Sequence, residues 1–314
     1  MMHHLLSLGG RILTQGKLNI LIYHQVPEEH DAMRPSEPDQ AQFRWQMELI
    51  KKYYTPISLS DAIQCLKENS LPSNAVCITF DDGYINNLTV AAPILNALKI
   101  PATVFVATDF LHGQNMWNDR VMDIVADTSF KQLDLSSIAL GQVELSDIEQ
   151  RRKLAYKIIN AIKYQPIDQR NQLIDKIYQD NGQQEYASRM MSEQQVQMLF
   201  EQGIEIGAHT QSHPILSEMP LEQQQQQIVE SKAILEQIIG QPLTGFAYPN
   251  GKWQKDYNQE SRDIVASTGF SYAVSTNWGV STKDTDTYQL NRFSPWDKSA
   301  LKFHLRLLRN AVGI

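Results

Sequence analysis

The sequence predicts an α/β fold in which seven parallel strands curl into a barrel, closed or incomplete, and three observations lead there. Short apolar runs rich in β-branched residues recur along the 314 residues. Amphipathic helical stretches separate them, as in successive βα units. A chain of this length, 42% hydrophobic, can bury one large core.

The strands are expected at LNILIY (18–23), AVCITF (75–80), ATVFVA (102–107), IEIGA (204–208), TGFAY (244–248), SYAVST (271–276) and YQLNRF (288–293). Residues 1–17 read as an N-terminal extension to a single domain covering 18–314. Gln42 to Tyr53 and Leu59 to Glu68 place apolar residues at helical spacing, and Leu88 to Leu98 does so across Pro93. Pro220 to Ile239 carries Ile228, Lys232, Leu235 and Ile239 on one face and stops at Gly240, suited to a left-handed C-cap. The Gln223–Gln227 run inside it reads as a solvated helical face, because apolar periodicity resumes at once. From about 112 to 200 the rhythm breaks: ELSDIEQRRKLAYKIINAIKYQ and DQRNQLIDKIYQ are helical and charged, with no strand between them. A helical insertion after the third strand is expected there, serving as scaffold or dimer contact, or as cover for a substrate groove.

A formal charge of −7, with Lys and Arg scattered, offers no basic stripe for a phosphate backbone and argues against nucleic acid as a partner. No basic segment precedes an uninterrupted apolar one at the N-terminus, and no run of about 18 apolar residues follows. The expectation is a soluble cytoplasmic protein, the alternative a secreted one whose leader is missing from this sequence. Cys65 and Cys77, the only cysteines, are expected as buried free thiols. Oligomeric state leaves no mark in the sequence.

Side chains from several parallel strands converge where those strands end. AVCITF runs into Asp81, Asp82 and Gly83, and IEIGA into His209, Thr210, Gln211, Ser212 and His213. The first strand ends at His24, the fifth at Tyr248, and the last carries Arg292. Two histidines four apart on a helical turn share a face, and one carboxylate would complete a metal site with open positions. A zinc-like ion so held is a Lewis acid and lowers the pKa of its water toward about 7. Alone, the spacing equally describes a surface pair; following a buried strand, and matched by two carboxylates at another strand end, it points to metal. Adjacent carboxylates need a cation or a proton between them. With one on the metal, the other is available as general base. Asp-Asp-Gly is also ordinary turn chemistry, and it is the position after an apolar strand that favours function.

With TFDDG at 79–83, HTQSH at 209–213, FAYPNG at 246–251 and LNR at 290–292, the chain resembles the polysaccharide deacetylases, the NodB-homology or carbohydrate esterase family 4 group, over roughly residues 18 to 295 without the insertion. The resemblance implies a distorted (β/α)7 barrel and metal-assisted removal of N-acetyl groups from N-acetylhexosamine units of a glycan or its precursor. It implies Asp81 as catalytic base, and Asp82, His209 and His213 as ligands of a divalent metal, zinc first, with cobalt, nickel or iron(II) able to substitute. It also implies that the backbone N–H of Asn250 helps hold the oxyanion.

Two positions depart from the family pattern. An Arg that orients the base is common where Ala247 stands, and a His that acts as general acid is common where Arg292 stands. An Arg is a poor proton donor at neutral pH but can fix Asp81 by a charge-assisted hydrogen bond. Arg292 is therefore expected to replace the missing Arg, and the leaving amine takes its proton either from His24, the first candidate, or from the attacking water's proton returned through Asp81. Tyr84, Trp117, Tyr248, Trp278 and Trp296 are candidates for a sugar-stacking wall, Trp117 and Trp296 foremost. Two other functions stay open: hydrolysis of another small amide, as by a deformylase, and glycan binding by a protein that keeps the metal with little turnover.

Overall fold

The computed structural model describes residues 2–313, and they divide into two compact units. The first comprises the residues up to His30, Ser36–His112 and Met191 onward; the second comprises Asp31–Pro35 and Gly113–Met190.

The first unit opens with helix α1 (Met2–Leu13) and strand β1 (Asn19–Tyr23), followed by α2 (Gln40–Tyr53), the two-residue β2 (Thr55–Pro56) and α3 (Leu59–Lys67). Next come β3 (Ala75–Phe80), a π-helical turn (Asn87–Ala91) running into α4 (Ala92–Leu98), and β4 (Ala102–Val106). Asp39 starts α2 by accepting from Gln42 N, which satisfies one of the donors that a helix N-terminus leaves open. Pro93 lies in the first turn of α4, where a missing N–H costs nothing, so the expected single helix over 88–98 begins instead as a π-turn.

β1 pairs in parallel with β3, and β3 with β4. All residues of these three strands are buried, as expected of a parallel sheet covered on both faces. After the second unit, the sheet continues through β7 (Glu205–Ala208), β8 (Gly245–Ala247) and β9 (Tyr272–Val274), each parallel to its neighbour. Helices α8 (Glu193–Glu201), α9 (Leu221–Ile239) and α10 (Gln259–Ser267) alternate with them, and α11 (Ala300–Val312) closes the unit. Gly240 caps α9 at φ 70°, the conformation expected for it.

The seventh expected strand, 288–293, is not a ladder. Leu290 bridges β9 at Val274, while Phe293 bridges β1 at Leu21. The segment thus crosses from one end of the sheet to the other, and alternating its partners prevents a continuous strand. Those bridges close the sheet into a distorted barrel of the α/β class.

The second unit holds α5 (Trp117–Ala126), an antiparallel hairpin of β5 (Gln132–Asp134) and β6 (Gln142–Glu144), α6 (Ile148–Ile162) and α7 (Ile167–Asp180). Its own core includes Trp117, Val121, Leu133, Leu154, Ile158 and Ile174. The insertion is therefore not wholly helical, and it is shorter than 112–200, because α8 belongs with the sheet. Cys77 is buried, Cys65 only half-buried, and both are free thiols. Among the described residues no helix is long and apolar enough to cross a membrane.

Candidate metal centre and catalytic carboxylate

β3 delivers Asp81 and Asp82 to the C-terminal end of the barrel, and β7 delivers His209. Asp81 N donates to Tyr23 O at 3.0 Å and His209 N to Val106 O at 3.0 Å, so both residues extend the sheet's hydrogen bonding by one step. The chain then turns sharply. Asp82 adopts φ 76° and Gly83 φ 93°, and a Cβ at Gly83 would lie 3.1 Å from Val106. Glycine is what this turn accommodates.

Sequence spacing suggested that His209 and His213 share a helical turn. They lie instead on a loop whose Thr210 (φ 64°) and His213 (φ 52°) are left-handed, and a β-branched residue in that region is strained. Thr108 N donates to Thr210 O, and Asp109 N to Gln211 O. From α9, Gln227 Oε1 accepts from Gln211 N (3.1 Å), Ser212 N (2.9 Å) and Ser212 Oγ (3.3 Å). One side chain of the glutamine run thus ties down the loop that carries His213. Gln224 also turns inward, accepting from Ser261 Oγ at 2.7 Å. The run is only partly a solvated face, and composition alone could not tell which glutamines point in.

Asp82, His209 and His213 bring one ligand atom each within 4.8 Å of one another. Asp82 Oδ1 lies 3.4 Å from His209 Nε2 and 3.5 Å from His213 Nε2. It is buried without a hydrogen-bond donor. Ligands about 2.0–2.1 Å from a tetrahedral zinc would stand about 3.3 Å apart, so this donor set fits such an ion. His209 Nδ1 is 2.7 Å from Ala247 O, and a carbonyl only accepts, so Nδ1 donates there and Nε2 is the ring nitrogen that faces the cluster.

Asp81 stands beside this triad, its Oδ2 3.9 Å from His209 Nε2. Arg292, fully buried, donates from both terminal nitrogens to the two Asp81 oxygens at 2.7 Å each. Its Nε donates to Ser275 O at 2.9 Å and one terminal nitrogen to Thr79 Oγ1 at 3.2 Å. Thr79 Oγ1 in turn donates to Leu21 O. Burial works to raise the Asp81 carboxyl, but Arg292 above all, then His209 and His24, hold it below the usual carboxylate range. Burial likewise opposes ionisation of Asp82, and the imidazoles of His209, His213 and His24 more than offset it.

His24 follows β1 at the edge of this cluster, its side chain 41% exposed and its Nδ1 4.0 Å from Glu37 Oε1. Desolvation lowers its pKa, but Asp82, Glu37 and Asp81 together raise it above the ordinary histidine value. Asn250 is half-buried at φ 58°, and its carbonyl accepts from Thr276 Oγ1. Among the described residues nothing accepts its backbone N–H.

The aromatic expectations need correction. Tyr248 is buried, stacked on Tyr257 at 3.8 Å, and its hydroxyl donates to Tyr288 O. Tyr84 is buried as well. Trp117 lies in the core of the second unit under the Arg170 guanidinium, 4.5 Å from its ring. None of these three offers an open ring face, because each is buried. Trp296, 46% exposed, does offer one, and Trp278, 47% exposed, is 5.3 Å from it.

Comparison with known proteins now adds to the geometry. The polysaccharide deacetylase family model matches residues 68–133 and 158–273. The Bacillus subtilis (strain 168) protein YxkH, assigned by name to the polysaccharide deacetylases, is 23% identical over 277 residues, covering 88% of this chain and 70% of that protein. Among solved structures, the Streptococcus pyogenes deacetylase PplD in complex with acetate superposes with a TM-score of 0.61 at 19% identity, over 93% of this chain and 98% of that one. A de-N-acetylase from Aggregatibacter actinomycetemcomitans superposes with a TM-score of 0.58 at 15% identity, over 93% and 99%. At these identities the structural matches establish a shared fold.

Proposed function

Because the chain belongs to the polysaccharide deacetylase family, we propose that it is a metal-dependent hydrolase that removes N-acetyl groups from N-acetylhexosamine units of a polysaccharide or its precursor. The observation that carries this reading is a buried carboxylate, Asp81, held ionised by a two-pronged Arg292 beside the Asp82–His209–His213 donor set. The de-N-acetylase similarity supports the choice of an N-acetyl bond.

Asp82, His209 and His213 would hold a divalent cation, zinc by donor type, with cobalt, nickel or iron(II) compatible. When bound, it supplies Lewis acidity to the scissile carbonyl. Asp81 accepts a proton from the attacking water, and Arg292 keeps that carboxylate oriented and charged until it does. The Asn250 N–H is the donor for the oxygen that gains charge. His24, partly exposed and biased toward its protonated form, donates to the leaving amine.

The test measures acetate release from N-acetylglucosamine oligomers and from small N-acyl and N-formyl amides, with metal content determined in parallel. Glycan turnover that is lost together with bound metal in Asp82→Ala is expected. Turnover of small amides alone would redirect the substrate class, tight glycan binding without product would leave a binding protein, and full metal content in Asp82→Ala would overturn the ligand set.

A further inference from the structure

A surface helix ordinarily turns its apolar stripe to the core; α1 does the reverse. The side that docks presents His3, Ser7 and Gly10, flanked by the half-buried Leu6 and followed by Thr14 just past the helix end. Ser7 Oγ donates to Tyr53 O, Thr14 Oγ1 donates to Asn74 Oδ1, and His3 stacks on His304 of α11. At Gly10 a Cβ would come within 2.8 Å of Leu308 and 2.9 Å of Asn74, so the two helices are in close contact there. The opposite face carries Leu5, Leu8 and Ile12, which are 65%, 61% and 79% exposed.

The neighbouring surface of α11 extends this face. Beyond His304 and Leu308, which meet α1, come the partly exposed Leu301 and Leu305 and the exposed Val312, and then a row of Lys302, Arg306 and Arg309. Those cations line a hollow of about 360 Å³ together with Trp278. Arg306 pairs with Asp297 in that hollow and lies 4.9 Å from the ring of the exposed Trp296. Residues 2–17 and 298–313 hold six Lys and Arg and no Asp or Glu, in a chain whose net charge is −7.

We propose that α1 and α11 form a docking surface for an anionic lipid bilayer. Leu5, Leu8 and Ile12 enter the acyl boundary, while Arg11, Lys302 and Arg309 lie at the depth of the phosphates and the two tryptophans at the interface, where such rings are favoured. Charge complementarity selects this occupant. A second copy would set Arg11, Lys302 and Arg309 against the same cations, whereas a bilayer presents an apolar layer bordered by a sheet of anions. The inference concerns a surface distinct from the hydrolytic centre and does not depend on the reaction assigned there.

The experiment is co-sedimentation of the full chain with vesicles of phosphatidylcholine alone and of phosphatidylcholine mixed with phosphatidylglycerol, at low and high salt, with light scattering of the free protein. Binding to the anionic vesicles only, weakened by salt, is expected. Leu5→Glu/Leu8→Glu should abolish it, and Lys302→Glu/Arg309→Glu should weaken it by at least about tenfold, with unchanged acetate release from a soluble substrate. The second pair guards against a folding defect in α1. Absence of vesicle binding, equal binding to both vesicle types, or a dimer that the Leu5→Glu/Leu8→Glu change dissociates would each overturn the proposal.

Discussion

Burial removes water as a stabiliser of the Asp81 charge, and the Arg292 fork is its largest replacement. Arg292→Gln should therefore cost about 3–5 kcal/mol of stability in denaturant melts, the usual consequence of leaving one member of a buried pair alone. Catalysis should fall by about 10²–10⁴, the range of a general base. The sign of the pH effect follows from the same contacts. A folded carboxyl held below its unfolded value of about 3.9 stabilises the protein above that pH, and the contribution is lost as pH falls through the folded value. Without Arg292, desolvation raises the carboxyl, so the acid limb of kcat/KM should move to higher pH; an unmoved limb would count against Asp81 as the base. The sequence could suggest this pairing only because Ala247 left the orienting role open and Arg292 was the remaining strand-end guanidinium. Burial of Tyr84, Trp117 and Tyr248 was hidden from it, since an aromatic beside polar residues reads alike whether its ring faces a groove or a core.

At the scale of elements, α9 supplies more than a wall of the barrel. Gln227 Oε1 is the shared acceptor for three donors of the loop before His213, a loop whose left-handed Thr210 needs support from outside itself. Gln227→Leu should leave helicity by circular dichroism intact and lower metal affinity by about 10–100-fold, the scale typical of groups that orient ligands, while Gln227→Glu keeps an acceptor and loses less. Equal affinity for all three proteins would show that the loop holds itself. Helix α1 depends on a different side-chain contact. Burial, and secondarily His3, push the His304 imidazole down to about 4. An unfolded histidine titrates near 6.5, so the unfolded state takes up a proton that the folded state refuses between those values. Stability from this contact is full above about 6.5 and declines as pH falls toward about 4. Melting midpoints measured across that window should slope less in His304→Phe than in the parent chain, and an identical slope would remove His304 as the source.

For the whole molecule, the strands that read clearly in sequence are the ones buried from both sides, β1, β3 and β4, because continuous apolar runs are the signature of a covered parallel sheet. The closing segment 288–293 was visible as an apolar run but not as a crossing, since its change of partner between Leu290 and Phe293 is decided by tertiary contacts. The second unit was legible as a break in rhythm, whereas its hairpin was too short and polar to register. Its membership of residues 31–35 was invisible, because side-chain pairings across 85 and 89 positions tie them in: Arg34 donates to Asp119 and Asp123. Asp123 is shared between Arg34 and Arg189, and Asp119, almost wholly buried, makes a close ion pair with Arg34. Arg34→Met fills similar volume and removes the cation, so it should destabilise the unit by about 3–5 kcal/mol. The effect should be local. Hydrogen exchange resolved by segment should quicken in α5, α6 and α7, the helices around that core, while amides of β1, β3 and β7 keep their protection. Uniform acceleration in every element would instead mean that the two units open as one, and that the core around Trp117 has no stability of its own.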